Sequence, residues 1–81
     1  MKVLKFEASW CGPCKMLTKT LEGAEGKHST LIEVVDIDAN PELAKQYNVR
    51  GVPTMIKVED DKEIARKVGV CNEADLLKFL A

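Results

Sequence analysis

Two cysteines separated by two residues form the most reactive feature of this sequence. Cys11 and Cys14 enclose Gly12 and Pro13, after an apolar β-type run and before a helical pattern. Proline is tolerated in the first turn of a helix, where its missing N–H would have no partner. The pattern therefore predicts that Cys11 lies at the start of a helix and Cys14 one turn later.

The start of a helix favours the thiolate form of a cysteine, because partial positive charge and free N–H groups collect there. A thiolate is the nucleophile of disulfide exchange. Side chains one helical turn apart are roughly 5–6 Å from each other at Cβ, so a small turn at Gly12 brings the two sulfurs within bonding reach. We therefore interpret Cys11 and Cys14 as a redox pair, as the general rule for Cys-x-x-Cys near a βαβ pattern also indicates.

Two other interpretations of the pair remain, a purely structural disulfide and half of a zinc site. Structural zinc needs four ligands, commonly two cysteine pairs or cysteine with histidine. The other candidate ligands are Cys71 and His28, and neither has a partner at ligand spacing. The sequence therefore predicts no metal site.

Length and composition predict one small domain over residues 1–81. The chain is 46% hydrophobic and 31% charged with a net charge of −1, so it lacks the basic stripe expected for binding nucleic acid or an anionic membrane. No apolar run reaches the roughly 20 residues of a membrane span, and the charged first residues do not resemble a secretory signal. Three cysteines, an odd number, argue against a disulfide-stapled secreted scaffold. We therefore expect a cytoplasmic location.

Periodicity and turn residues predict the element order β-α-β-α-β-β-α. The predicted strands are residues 3–9, 31–38, 54–59 and 62–68, and the predicted helices are 13–22, a short one after Asn40 and a last one after Asn72. Residues 31–38 are β-branched and nearly continuous, which is typical of a central or doubly covered strand. The order indicates two parallel strands with a right-handed crossover, then a hairpin turning at 60–61. A mixed four-stranded sheet with helices on both faces satisfies it.

At this level the chain resembles the thioredoxin family. Four landmarks carry the resemblance in order: the stretch Trp-Cys-Gly-Pro-Cys-Lys-Met at 10–16, Asp-Ile-Asp at 36–38 with Asn-Pro at 40–41, residues 47–54, and Lys-Val-Gly at 67–69. The Gly-Pro pair differs from the Pro-Tyr pair usual in glutaredoxins. The resemblance covers nearly the whole chain and implies the thioredoxin fold without the N-terminal strand and helix of full-length members.

The resemblance implies a role for each matched residue. Cys11 corresponds to the cysteine that attacks a substrate disulfide, and Cys14 to the buried cysteine that resolves the mixed disulfide. Pro53 corresponds to a cis-proline beside the disulfide, where the preceding backbone pairs with a substrate strand. The implied substrate-binding residues are Trp10, Gly12, Pro13, Val52, Pro53, Thr54 and Gly69.

The implied activity is reduction of protein disulfides without a bound cofactor, by a protein expected to be monomeric. The Gly-Pro motif favours a flavin-dependent, NADPH-fed thioredoxin reductase as electron donor. Two alternatives remain: a glutaredoxin-like enzyme that draws on glutathione, and a binding subunit that uses the same docking surface without redox turnover.

The chain departs from the family at the first strand. The position of the usual buried aspartate holds Lys5, and that of its partner lysine holds Val34. Glu7 shares the face of Lys5, so Lys5 and Glu7 together are candidates for tuning the cysteine pair. The alternative is that this edge is solvated and Lys5 reaches water. Cys71 is interpreted as a small apolar filler rather than a third redox thiol.

Overall fold

The computed structural model describes residues 1–81 and has the predicted element order. The elements are β1 Lys2–Glu7, α1 Gly12–Gly23, β2 Leu31–Asp36, α2 Pro41–Gln46, β3 Thr54–Glu59, β4 Lys62–Val68 and α3 Glu73–Leu80. Gly23, a predicted helix stop, is the last residue of α1, and Ala24 forms its C-cap. Asn72 caps α3 by accepting a hydrogen bond from the N–H of Asp75 at 2.8 Å. None of the helices, of which the longest has 12 residues, has the length and apolar content of a membrane span.

The four strands form one mixed sheet in the order β2-β1-β3-β4. β1 pairs in parallel with β2 and antiparallel with β3, and β3 pairs antiparallel with β4. The predicted mixed sheet is confirmed, but the predicted place of β2 is wrong. β2 is an edge strand that ends at Asp36, and Leu31, Glu33 and Val34 are exposed on it. A β-branched composition reflects strand propensity, which edge and central strands share.

Side chains of β1 alternate between two hydrophobic cores, which confirms that helices cover both faces of the sheet. Val3 packs with α1 and α3, in a cluster completed by Leu17, Ala24, Met55, Leu76 and Leu80. Leu4 and Phe6 face α2, in a cluster with Val35, Ile56 and Val58. β1 is therefore buried on both faces and leads directly into the Cys11–Cys14 segment.

The β3–β4 hairpin turns at Asp60 and Asp61 without a glycine. Their φ angles are +52° and +63°, the left-handed pair that matches the twist of a two-residue hairpin. Aspartate tolerates this conformation because its short side chain hydrogen-bonds locally. The sequence has no glycine here to specify the turn type, and the two aspartates supply the left-handed conformation.

Arg66 on β4 ties the sheet to the C-terminal end of α2. Its guanidinium donates hydrogen bonds to the carbonyl oxygens of Tyr47 and Asn48 and, through Nε and Nη2, to the Glu63 carboxylate, both at 2.8 Å. The hydrogen bond from Arg66 lowers the pKa of Glu63 below its ordinary value of 4.5. Because the folded-state pKa is depressed, the pair stabilises the fold above about pH 4.5, and this contribution is lost as the pH falls through the folded-state value.

Glu63→Gln is expected to lower the free energy of unfolding at pH 7 by no more than about 1 kcal/mol, since the pair is partly solvated. The difference from the native protein should shrink as the pH falls through the lowered pKa of Glu63, because the protonated carboxyl, like the glutamine amide, carries no charge. Urea unfolding followed by far-UV circular dichroism at several pH values measures it. The matched control is Glu59→Gln, at an exposed glutamate on β3. An equal pH dependence in both variants would contradict the prediction.

Candidate functional site

The cysteine pair occupies the N-terminal end of α1. Cys11 is the N-cap residue, with φ −91° and ψ 107°, and Pro13 lies in the first turn. Cys11 and Cys14 form a disulfide with their Cα atoms 5.3 Å apart. The N–H of Cys14 donates to Sγ of Cys11 at 3.1 Å, so Cys11 caps the helix with its sulfur instead of with an oxygen. This N–H and the positive end of the helix both favour negative charge on Cys11.

Exposure does not distinguish the two cysteines, because Cys11 is 4% and Cys14 2% exposed. They share a small buried cluster with Ala8, the residue immediately after β1. Position distinguishes them: only Cys11 stands at the cap, where a backbone N–H points at its sulfur. The helix terminus therefore favours a thiolate on Cys11 over one on Cys14.

The loop before β3 lies against the disulfide. The Val52–Pro53 peptide bond is cis, which confirms the geometry implied for Pro53. Sγ of Cys11 is 3.6 Å from the carbonyl oxygen of Val52. The N–H of Gly69 donates to the carbonyl oxygen of Pro53 at 2.9 Å, and Gly69 has φ +88°, a conformation that suits glycine. The end of β4 thus holds this loop against the cysteines.

The other implied substrate-binding residues differ in exposure. Trp10 is 67% exposed, so ordinary core packing is excluded for it, and its Nε1 donates to Oδ2 of Asp38 at 2.9 Å. Gly12 and Pro13 are exposed in the first turn of α1. Thr54 is 2% exposed and its hydroxyl donates to the carbonyl oxygen of Gly51 at 2.7 Å. The Thr54 side chain therefore braces the loop from inside instead of facing a ligand.

Known proteins have a similar sequence and fold. The family model described as Thioredoxin matches residues 1–81. The chain belongs to the thioredoxin family. It is 46% identical over 81 residues to the thioredoxin of Chlamydia trachomatis, covering 98% of this chain and 78% of that protein. Among solved structures, a mutant thioredoxin from Halobacterium salinarum is similar with a TM-score of 0.87 at 35% identity, over 96% of this chain and 69% of the other.

Membership of the thioredoxin family and the Cys11–Cys14 pair together support thiol–disulfide oxidoreductase activity. A thioredoxin from Fasciola hepatica is likewise similar, with a TM-score of 0.83 at 35% identity, over 96% of this chain and 75% of the other. The redox disulfide is thus the group that carries the chemistry. The structure contains no group of three or more His, Cys, Asp and Glu side chains that could hold a metal ion.

Lys5, where thioredoxins usually carry an aspartate, is buried. Its side chain is 2% exposed, so the interpretation of a solvated edge is wrong, and it forms an ion pair with Glu7, which shares its face of β1. Nζ of Lys5 donates to the Glu7 carboxylate and to Oγ1 of Thr18, the latter at 2.6 Å. Thr18 was missed by the sequence analysis, as was the Asp38 partner of Trp10. The available signal for Thr18 is its spacing of four residues from Cys14, which places both on one face of α1.

Cys71 is the remaining cysteine of the chain. It is partly buried against the cluster that contains Val3 and Leu76. Burial raises the pKa of its thiol; the Asp75 carboxylate adds to this effect and Lys67 opposes it. A raised pKa leaves less of the reactive thiolate at neutral pH, so these surroundings favour the packing role over a third redox thiol.

Cys71 is expected to react several-fold more slowly with iodoacetamide at pH 7 in the folded protein than in urea. Burial both limits access to its sulfur and disfavours the thiolate. Mass spectrometry of the oxidised protein measures this directly, because the Cys11–Cys14 disulfide keeps the other two sulfurs unreactive. Equal rates in the folded and unfolded states would refute the packing role.

Proposed function

We propose that this chain reduces disulfides in protein substrates through Cys11 as attacking and Cys14 as resolving cysteine. The Cys11 thiolate attacks one sulfur of a substrate disulfide, forms a mixed disulfide and releases the other substrate sulfur as a thiolate, which takes up a proton. Cys14 then gives up its proton and attacks Sγ of Cys11, which releases the second substrate thiolate. The substrate gains two electrons and two protons, and the Cys11–Cys14 disulfide forms.

One observation carries this assignment: the N–H of Cys14 points at Sγ of Cys11 at the N-terminal end of α1. The same N–H and the helix dipole stabilise a thiolate on Cys11. Cys14 lies in the first turn, bonded to Cys11, so the resolving step needs no movement of the helix.

Substrate binding is proposed at the loop before β3. Val52 makes no backbone hydrogen bond within the chain, and its carbonyl oxygen lies beside the Cys11 sulfur. A free backbone of this kind suits an extended substrate segment that adds as a strand, which gives affinity with little side-chain selectivity. The exposed Trp10, Gly12 and Pro13 precede Cys11 or lie between the two cysteines in the chain, and Pro53 and Gly69 hold the loop in place.

A flavin-dependent thioredoxin reductase that takes electrons from NADPH is the proposed donor. A relative from Mycobacterium leprae, 37% identical over 81 residues and covering 98% of this chain and 18% of that protein, is named a bifunctional thioredoxin reductase/thioredoxin. Its name joins the two activities in one polypeptide and supports this donor over glutathione. We further propose that residues 1–81 act as one monomeric domain in the cytoplasm, the compartment where a dithiol of this kind can cycle.

Reduction of insulin disulfides tests the proposal. The native protein with NADPH and a thioredoxin reductase is expected to reduce insulin much faster than with glutathione, NADPH and glutathione reductase. The Cys11→Ser/Cys14→Ser double variant is the control and is expected to be inactive with both donors. Faster turnover with glutathione would establish the glutaredoxin-like alternative. A double variant that still binds the partners of the native protein, with no turnover by the native protein, would establish the binding subunit.

A further inference from the structure

A buried positive charge lies behind the cysteine pair. Lys5 is fully enclosed, which is rare for lysine unless the ammonium has partners. Its two partners are the Glu7 carboxylate and the Thr18 hydroxyl. Because buried charges without partners are costly, these contacts fix the ammonium at one place between β1 and α1.

Thr18 connects this ammonium to the cysteine pair. Its hydroxyl donates to the carbonyl oxygen of Cys14 at 3.0 Å. A hydroxyl has a single proton to donate, so its lone pairs face the Lys5 ammonium. Every hydrogen bond in this series therefore runs in one direction, from Lys5 through Thr18 to the backbone of Cys14.

The side chain of Cys14 lies on the face of α1 that carries Thr18, the hydroxyl partner of this charge. Cys14 and Thr18 are four residues apart in α1, which places their Cβ atoms roughly 5–6 Å apart on one face. The Cys11–Cys14 disulfide is uncharged, whereas the reduced pair carries negative charge when one thiol ionises. A cation at this position therefore interacts favourably with the reduced pair and hardly with the oxidised one.

We propose that Lys5, held by Glu7 and Thr18, is a positioning residue whose buried charge stabilises the reduced form of the Cys11–Cys14 pair. This inference rests on the proposed function, because it concerns the same disulfide. Reduction adds two electrons and two protons to the disulfide and gives two thiols, and one thiol then releases its proton to become the thiolate. Lys5 supplies no proton or electron in this reaction and acts only through its charge.

The other charged groups around Lys5 do not cancel its effect. The Glu7 side chain is 29% exposed, so water screens its negative charge more than it screens the Lys5 ammonium. The groove beyond Lys5 is lined by Glu22, Glu25 and His28 among others. Glu22 follows Cys14 by eight residues, roughly 12 Å along α1. Lys15, next to Cys14, is exposed.

Lys5→Met tests the proposal, because methionine keeps an unbranched apolar side chain and removes the charge. In equilibrium with reduced and oxidised dithiothreitol at pH 8, the variant is expected to shift roughly tenfold towards the Cys11–Cys14 disulfide, which equals a potential about 30 mV lower. The pH profile of alkylation should place the pKa of the more acidic thiol about one unit higher. Each dithiothreitol that closes its disulfide transfers two electrons and two protons to the protein.

Lys2→Met is the matched control. Lys2 is on the same strand and its replacement changes the net charge equally, but its side chain is 43% exposed and pairs with Glu33 at 3.1 Å. Its equilibrium constant and pH profile are expected to equal those of the native protein. Equal shifts in Lys2→Met and Lys5→Met would mean that net charge alone is responsible and would overturn the proposal.

Thr18→Val gives a second test if Lys5→Met does not fold. Valine keeps the shape of threonine and leaves the Lys5 charge in the protein, but frees the ammonium from its place beside Cys14. The equilibrium with dithiothreitol is expected to shift towards the Cys11–Cys14 disulfide, as in Lys5→Met, but only roughly twofold. If the variants that fold have the same equilibrium constant with dithiothreitol as the native protein, the role of Lys5 is overturned while the reductase activity stays in place. A native protein that forms no Cys11–Cys14 disulfide would overturn the proposed function itself.

Discussion

Cys14→Ser is expected to hold a substrate on Cys11 as a stable mixed disulfide, whereas Cys11→Ser is expected to form no such adduct. The reason is the helix cap: the N–H of residue 14 and the positive end of α1 stabilise a thiolate at position 11. Without the thiol of Cys14, the second step has no nucleophile within the chain. Turnover of insulin is expected to fall on the order of 10³-fold or more in both variants, because the two cysteines act as a unit.

Mass spectrometry under non-reducing conditions distinguishes the two variants after incubation with insulin. Both are best made together with Cys71→Ser, so that the partly buried third thiol takes no part. Cys71→Ser alone is the control and should retain the turnover of the native protein. Adducts that form equally fast on Cys14 in the Cys11→Ser variant would contradict the assignment of the attacking cysteine.

Phe6→Ala is expected to lower the free energy of unfolding by about 3–5 kcal/mol. Phe6 is 0% exposed on β1, and its ring centroid is 5.9 Å from that of Tyr47, beside the end of α2. Removing the ring leaves a cavity between the sheet and α2. The free energy of unfolding of a protein is roughly 0.05–0.15 kcal/mol per residue, or about 4–12 kcal/mol for a chain of 81 residues. The expected loss is therefore at least about a quarter of the total and, at the lower end of that range, all of it.

Urea unfolding followed by far-UV circular dichroism measures this loss. Phe79→Ala is the matched control, because Phe79 is only partly buried on α3, where its ring lies 5.1 Å from Nζ of Lys57. The control is expected to lose less than half as much stability. Equal losses would contradict the prediction, because the core on the α2 side would then contribute no more to the free energy of unfolding than the periphery of the other core.

Features set by neighbouring residues were predictable from the sequence. The start of α1 follows from Cys11, Gly12 and Pro13 alone, because helix capping and proline geometry act within one turn. The alternation along β1 likewise predicted that Lys5 and Glu7 share one face of the sheet, and they pair in the structure. The cis bond before Pro53 is different: only the family resemblance implied it, since a proline in sequence is compatible with either isomer.

Features set by distant residues were not predictable. The burial of Lys5 depends on Thr18, thirteen residues later, which meets it only after β1 and α1 pack. β2 lies at the edge because β1 is its one neighbour in the sheet, and β3 pairs with the other side of β1. Composition gives the tendency to form a strand, while the number of neighbours of that strand is a property of the whole sheet.

Trp10 determines what optical spectroscopy of this protein reports. It is the only tryptophan of the chain, and it is two-thirds exposed beside the disulfide instead of inside either core. We therefore expect the emission of a hydrated indole in the free protein and little change in its hydration on unfolding. Contact with an apolar partner at the cysteine pair would dehydrate the indole and shift its emission to the blue. Intrinsic fluorescence is thus expected to serve as a titration signal for complex formation by this protein.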